Sequence, residues 1–414
     1  MIQDSEVLQL IRKEELRQNQ NIELIASENY PSRAVREACA SIFTAKYAEG
    51  YPGKRYYGGC ENVDEVERLC IERCKALFHV GFANVQPHSG SQANFAAYHA
   101  ILNPGDKVLS LTLNDGGHLT HGSPVSFSKH LYQFVHYPLG PDGKLDYGII
   151  ADCLEKEMPD CLLAGYSAYP YAIDFKKMRE LVDTHNQKHG RHCYFIVDMA
   201  HIAGIVAAGL CQNPCDYADI VTSTTHKTLR GPRGGIILTN DAALAKKIDS
   251  AVFPYTQGGP LEHIIAAKAI AFREAEDSSF KAYMQQVLEN TKACAEELCR
   301  LGAVTSGTEN HLFLLDVLQS FGCNGKEAQA KLELNGITTN KNMIHGDTLS
   351  PGLCSGIRIG FTAVTSRGCA KQDAIEIARI IYDVLSGNEK PEKPIKTRVN
   401  EIVNHWKNVL ELYY

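Results

Sequence analysis

Hydrophobic and polar positions along the chain fall into two regimes. Between residues 60 and 270, short apolar runs alternate with longer segments of helical period. DKVLSLTL (106–113), CYFIVD (193–198), ADIVTST (218–224) and GGIILTN (234–240) read as buried strands. NVDEVERLCIERCKALF (62–78) places Val66, Leu69, Cys70, Cys74, Leu77 and Phe78 on one helical face, and DFKKMRELVDTHN (174–186) is a second amphipathic helix. This alternation predicts a three-layer α/β domain with a mainly parallel sheet and sites at the carboxyl ends of its strands. Beyond residue 270 the pattern changes. A long helical stretch (266–302) leads into the strands HLFLLDV (311–317) and GIRIGF (356–361). The helix KQDAIEIARIIYDVL (371–385), the polar linker SGNEKPEKP (386–394) and a final helix follow. The organisation expected is an N-terminal arm (1–45), a large α/β domain (46–270) and a smaller α+β domain (271–414), with no internal repeat.

Composition narrows the function classes. The 414 residues are 44% hydrophobic and 22% charged, with a net charge of −6 and dispersed Lys and Arg, which argues against a nucleic-acid surface. The N-terminus MIQDSEVLQLIRKEELRQNQ is charged and amphipathic, and no run of 18 apolar residues occurs; neither a signal peptide nor a membrane span is expected, and a cytoplasmic location is the simplest reading. Fourteen cysteines without a CxxC pair read as reduced interior residues. His185, His189, His192 and Cys193 lie in what reads as a polar, solvated connection between a helix and a strand, and no metal site is expected.

Chemistry concentrates in three places. Asp198 ends the apolar run CYFIVD, where a carboxylate is either paired or merely caps a helix. Lys227 follows 29 residues later in STTHKTLRGPRGG, after the next predicted strand; a parallel neighbour at that spacing brings the two to one edge of the sheet. HSGSQANFAAY (88–98) is a hydroxyl-rich turn entering a helix, an ordinary capped helix or a phosphate cradle. Together they supply a lysine for a Schiff base, a carboxylate for a pyridinium nitrogen and an anion site, the set that pyridoxal phosphate requires. GxGxxG after a strand, GxxxxGK[ST] and HExxH are missing, so dinucleotide enzymes, P-loop NTPases and zincins lose their support.

The motifs NIELIASENY (21–30), KYAEGYPGKRYYGGCENVD (46–64), NVQPHSGSQANF (84–95), GGHLTHGSPV (116–125), VDMAHIAG (197–204), VTSTTHKTLRGPRGG (221–235), QGGPLEH (257–263) and SGIRIG (355–360) closely resemble those of the serine hydroxymethyltransferases. The resemblance implies a fold-type-I pyridoxal-phosphate transferase that interconverts serine and glycine, with tetrahydrofolate as one-carbon acceptor. It assigns Lys227 to the cofactor's Schiff base, Asp198 to the pyridinium nitrogen, His118 to stacking on the ring, and His201 and Ser167 to the phenolic-oxygen side. Ser89, Gly90 and Ser91 would bind the phosphate, with Gly258 and Gly259 reaching it from a neighbouring subunit, and His226 would flank the lysine. Arg358 would grip the substrate carboxylate with Ser27 assisting; Glu49 would be the acid/base group, with Tyr47 and Tyr57 in the same pocket. In the family Glu49, Tyr47 and Tyr57 serve the partner's site, so a homodimer is implied. Leu113, Gly117, Leu119 and Asn342 match the family's folate positions.

The chain departs from the family pattern at Gly352, Cys354, Phe361, Tyr255 and Tyr171. Either other side chains, Phe361 or Tyr255 among them, refill the space that Gly352 vacates, or the second substrate has changed. The alternative activity is then a folate-independent aldolase or transaldolase acting on β-hydroxy amino acids. A catalytically silent, interaction-only homologue finds no support, because Lys227, Asp198 and Arg358 are all present.

Overall fold

A computed structural model describes residues 4–387, 393–409 and 412, so most of the polar linker expected at 386–394 lies outside the described residues. Contacts divide the chain into two units, residues 34–281 and residues 1–33 with 282–414.

The first unit is built on seven strands: β1 (Phe82–Asn84), β2 (Lys107–Leu111), β3 (Gln133–Tyr137), β4 (Cys161–Gly165), β5 (Tyr194–Asp198), β6 (Ile220–Thr224) and β7 (Gly235–Thr239). Their spatial order is β1-β7-β6-β5-β4-β2-β3. β6, β5, β4, β2 and β3 are mutually parallel, whereas β7 runs antiparallel to both neighbours. The four apolar runs became strands because each is buried on both faces, and β4, β6 and β7 are buried throughout. Ile196, Ile220, Ile237 and Leu163 join Tyr98 and Phe134 in one core cluster.

The helix expected at 62–78 forms as α1 (Glu61–Phe78), but its buried face differs. Leu69 is exposed, while Asp64 and Glu67 are buried with Val63, Cys70, Cys74, Leu77 and Phe78. The cause is a cation. Arg55 donates from Nε to Asp64 Oδ1 (2.8 Å) and from Nη2 to Glu67 Oε2 (2.6 Å), and that pairing rotates two carboxylates inward. His185 and His189, expected in a loop, lie on the last turns of the helix α2 (Phe175–His189), which runs past the predicted end at 186 to Gly190 in left-handed backbone. The long stretch 266–302 is two helices, Glu262–Ala275 and Ser278–Arg300, interrupted at Glu276 and Asp277.

In the second unit, β8 (Val304–Thr305), β9 (Leu312–Asp316), β10 (Asn340–Asn342) and β11 (Gly356–Gly360) form an antiparallel sheet in the order β8-β9-β11-β10. Its core holds Phe313, Ile357, Ile359, Phe361, Ile377 and Ile381. Residues 4–33 pack here for reasons that periodicity does not reveal. Ile22–Glu23 pairs in parallel with Ile337–Thr338. The buried Arg367 guanidinium donates to the carbonyls of Gln18, Asn19 and Asn21, capping the C-terminal end of the helix Ser5–Gln20. No helix among the described residues is long and apolar enough to cross a membrane.

One glycine sets the sheet's working edge. Gly165 has φ +112 and lies opposite Asp198 in register; a Cβ there would sit 2.1 Å from the Asp198 carbonyl oxygen. Gly165→Ala is expected to destabilise the protein by about 3 kcal/mol or more, through left-handed strain plus a backbone clash. Urea unfolding measures this, and a loss below about 1 kcal/mol would contradict the close approach.

Candidate active site

Asp198 and the lysine segment meet at one sheet edge, as the spacing predicts: β5 and β6 are parallel with Asp198 opposite Thr222. Asp198 does not cap a helix. Its Oδ1 accepts from the Ala200 amide (3.0 Å), and its Oδ2 accepts from Asn94 Nδ2 (2.9 Å) and pairs with His121 Nε2 (3.2 Å). Burial alone would raise this carboxyl's pKa. The hydrogen bonds from His121 and Asn94, with the favourable electrostatics of the His121 and His118 rings, outweigh it and hold the pKa below the usual carboxylate range.

The donors are themselves oriented. Thr222 Oγ1 donates to Asn94 Oδ1 (2.6 Å), so the Asn94 amide group must face Asp198 and Thr120, whose Oγ1 accepts at 2.8 Å. Because His118 Nδ1 accepts from the Thr120 amide (3.2 Å), it carries no proton, and the Thr120 hydroxyl donates to it (2.7 Å). That leaves the His118 proton on Nε2. Asn94, Thr120, His121 and Thr222 carried no assignment from sequence, although Asn94 lies one helical turn beyond Gly90 and His121 three residues beyond His118.

Lys227 is buried on a loop that closes on itself: the Gly231 amide donates to Thr225 O (2.7 Å) and Thr225 Oγ1 to Pro232 O (2.6 Å). Thr228 Oγ1 donates to the His201 carbonyl (3.0 Å) and accepts from the Gly204 amide (2.9 Å), tying the His201 and Lys227 loops together. Burial first, then the charges of Arg233 and Lys227, press the His226 pKa down to about 3, so that imidazole is neutral. Ser167 joins the His118 turn through its amide, which donates to Gly116 O (2.8 Å).

The phosphate-cradle stretch is a capped helix, Gly90–Ile101, with Ser89 Oγ accepting from the Gln92 amide (3.2 Å). The amides of its first turn, Gly90 and Ser91 included, have no intrahelical partner and face outward from the helix end. A Cβ on Gly90 would lie 2.6 Å from Thr224 Cγ2, so only glycine lets the helix end approach β6 this closely. Lys268, which the sequence gives no role, is fully buried. Its ammonium donates to the carbonyls of Val85 (2.7 Å), Gly235 (2.8 Å) and Pro87 (3.2 Å), and burial brings its pKa down to about 8. Thr224 Oγ1 and His226 Nδ1 are buried with no hydrogen-bond partner among the described residues.

Glu49, Tyr47 and Tyr57 form a second cluster around Gly258 and Gly259. Tyr47 meets Tyr57 edge-on with ring centroids 5.1 Å apart, and the Glu49 carboxylate raises the Tyr47 pKa. Cβ atoms built on Gly258 and Gly259 would lie 3.2 Å from Glu49 Oε1 and 3.3 Å from the Tyr47 ring. Arg55 braces the segment by donating from Nη1 to Ala48 O and Gly50 O, both at 2.9 Å. The same glycine loop is stitched to the cradle: His88 Nε2 lies 3.3 Å from Gly259 O, and Gln257 Nε2 donates to Gln86 O (2.9 Å). Leu113 and Leu119 are exposed on the turn that buries Gly117.

In the other unit, Arg358 is buried at the centre of β11, opposite Leu314 and Asn340, and burial brings its pKa down to about 10, still charged at neutral pH. The Gly360 amide donates to Leu24 O (2.8 Å), which lays the segment bearing Ser27 beside that strand. Asn342 pairs opposite Gly356 on the other flank.

Because its folded pKa is depressed, Asp198 contributes stability that is present above about pH 4 and lost as pH falls toward the folded value. Asp198→Asn removes that titration. Urea midpoints at pH 5, 4 and 3 should therefore fall less steeply for the variant than for the parent; parallel slopes would refute the depressed pKa.

A sequence model described as "Serine hydroxymethyltransferase" matches residues 1–381 of the 414. Its span takes in the lysine loop, the Asp198 network, the cradle helix and the Arg358 strand. The chain belongs to the serine hydroxymethyltransferase family, fold-type-I enzymes that use pyridoxal phosphate to interconvert serine and glycine.

Proposed function

We propose that this protein is a tetrahydrofolate-dependent serine hydroxymethyltransferase, converting serine and tetrahydrofolate reversibly to glycine and 5,10-methylenetetrahydrofolate. The observation that carries the reading is the Glu49–Tyr47–Tyr57 cluster, which keeps a carboxylate and two phenols beside Gly258 and braces them with the buried Arg55. Hydroxymethyl transfer needs such a group to move a proton at the substrate hydroxyl.

The residues present fit the cofactor. The Gly90 helix end supplies outward amides, Thr224 Oγ1 and His226 Nδ1 are buried polar atoms awaiting a partner, and Lys227 is held on a closed loop. When bound, pyridoxal phosphate supplies an aldehyde for imine formation and an electron sink for the pair left at Cα. Asp198, whose negative charge is preserved, would hold the proton on the cofactor's ring nitrogen, and His118, its ring fixed by the Thr120 bond, would stack on the cofactor. His201 and Ser167 would flank the phenolic oxygen, and Ser89, Gly90 and Ser91 would hold the phosphate. Arg358 takes the substrate carboxylate as a planar bidentate donor, with Ser27 beside it, which orients the bond to be broken. Leu113, Gly117, Leu119 and Asn342 contact the folate.

The family pattern has Glu49, Tyr47, Tyr57, Gly258 and Gly259 act across a dimer, and we extend that assembly to this chain. In support, Ile42 and Tyr56 are 86% and 76% exposed in the segment that carries them, unusual for such large apolar side chains unless a partner covers them.

The departures do not strip the site. Gly352 lies in an exposed loop where, among the described residues outside its chain neighbours, only Ser350 Oγ would come within 4 Å of a Cβ, so no interior space was vacated there. Phe361 is fully buried in the core of its unit, and Tyr255 stacks on His99 at 3.4 Å. Tyr255 also borders a hollow with Glu49, Tyr56 and Gly258, the observation that keeps folate-independent aldol cleavage as the second reading.

Purified holoenzyme should cleave serine far faster with tetrahydrofolate than without, and Glu49→Gln should lower that rate by about 10²–10⁴-fold. Brisk allo-threonine cleavage with no folate effect on serine would overturn the assignment in favour of the aldolase. Lys268→Met leaves three buried carbonyls without their donor; we expect at least tenfold weaker cofactor affinity, read by equilibrium dialysis, and a lowered Tm. Unchanged values of both would remove Lys268 from cradle support.

A further inference from the structure

At the amino ends of β4 and β5, the edge opposite Asp198, three side chains converge that the activity does not use. Glu155 lies in the last turn of the helix Tyr147–Glu157, and His185 and His189 lie one turn apart near the end of α2. His189 Nε2 is 3.0 Å from Glu155 Oε2 and His185 Nδ1 is 3.6 Å from Glu155 Oε1; the ligand atoms of all three lie within 4.8 Å of one another. We propose that Glu155, His185 and His189 form a binding site for a zinc-type divalent cation that staples these two helices.

An ordinary ion-paired helix end accounts for only part of the arrangement. It explains Glu155, His189 and Lys188, whose Nζ is 2.5 Å from Glu155 Oε2. It does not fully explain His185, which is 1% exposed: among the described residues its Nε2 has no hydrogen-bond partner, and its Nδ1 comes only within 3.6 Å of Glu155 Oε1, beyond hydrogen-bond distance. Leaving a buried imidazole unsatisfied is costly, and an ion relieves it. The geometry suits zinc. With Zn–N and Zn–O near 2.0–2.1 Å, tetrahedral ligand atoms sit roughly 3.3 Å apart; His189 Nε2 lies near that distance from Glu155 Oε2 and His185 Nδ1 from Oε1, and three ligand atoms within 4.8 Å of one another need close by at most about 1.5 Å. Two histidines four residues apart and one carboxylate make three ligands, leaving a fourth position for water.

Both helices present their C-terminal ends at this edge, where the backbone dipole favours a cation. Lys188 occupies part of that field, but its side chain is 59% exposed and can turn to water at small cost. His192 and Cys193 take no part. His192 packs edge-on against Tyr194, and the Cys193 amide and carbonyl are both bonded to the Asn186 side chain. The other histidine–carboxylate trio, His118, His121 and Asp198, belongs to the site already described.

The test is a zinc titration of full-length holoenzyme against a chromophoric chelator, with zinc alone as the probe, beside Glu155→Gln and His189→Gln. One equivalent bound by the parent, at least tenfold weaker in both variants, supports the site. The same result requires a zinc-dependent rise in Tm only in the parent, and serine cleavage unchanged by either substitution. No stoichiometric binding, or less than tenfold weakening in either variant, overturns it.

Discussion

The first unit is organised around one buried negative charge. Placing the Asp198 carboxylate at the end of a strand closed to water costs several kcal/mol unless donors surround it. Those donors come from three separate pieces of chain: Asn94 on the cradle helix, His121 on the 116–123 turn, and the Ala200 amide just past β5. Meeting that one requirement therefore fixes the helix end, the His118 ring and the strand pair in mutual register. Thr222 and Thr120 extend the same network, so even the tautomer of His118 traces back to the hydrogen-bond needs of Asp198.

Buried cations play the complementary part. Lys268 gathers the carbonyls of Val85, Pro87 and Gly235 under the cradle, Arg55 holds those of Ala48 and Gly50 behind Glu49, and Arg367 gathers those of Gln18, Asn19 and Asn21. In each case an irregular stretch leaves acceptors that no helix or sheet ladder can satisfy, and one multivalent donor serves several of them. Arg55 in turn needs carboxylates. Glu67 and Asp64 bond to it, while Glu262 stands 3.6 Å away and is pushed up to about 8 by burial and by Glu67, so it holds its proton at neutral pH.

The side chains that distinguish this chain from the family pattern show how a fold absorbs change. Tyr255 spreads its ring over His99 and approaches Phe95, Phe361 fills the core of its own unit, and Gly352 sits where no side chain is required. Cys354 adopts left-handed backbone at φ +57, an unusual position for a residue with a Cβ, and its thiol donates to Pro351 O (3.2 Å).

By itself the sequence determined the element types, the parallel sheet and the pairing of Asp198 with the lysine loop, because apolar runs and strand spacing are local properties of the chain. It also carried the family motifs, each a contiguous stretch. What it could not show was anything decided by partners distant along the chain. Leu69 lost its place on the buried face to Glu67 because Arg55, twelve residues away, needed a counter-charge. Lys268 reads as one polar position in a helix until its carbonyl partners, up to 183 residues earlier, surround it. His185 and His189 read as a solvated connection until the helix bearing Glu155 packs beside them. Periodicity ranks residues by polarity, whereas a buried polar side chain is positioned by its partner, and only tertiary structure brings the partner.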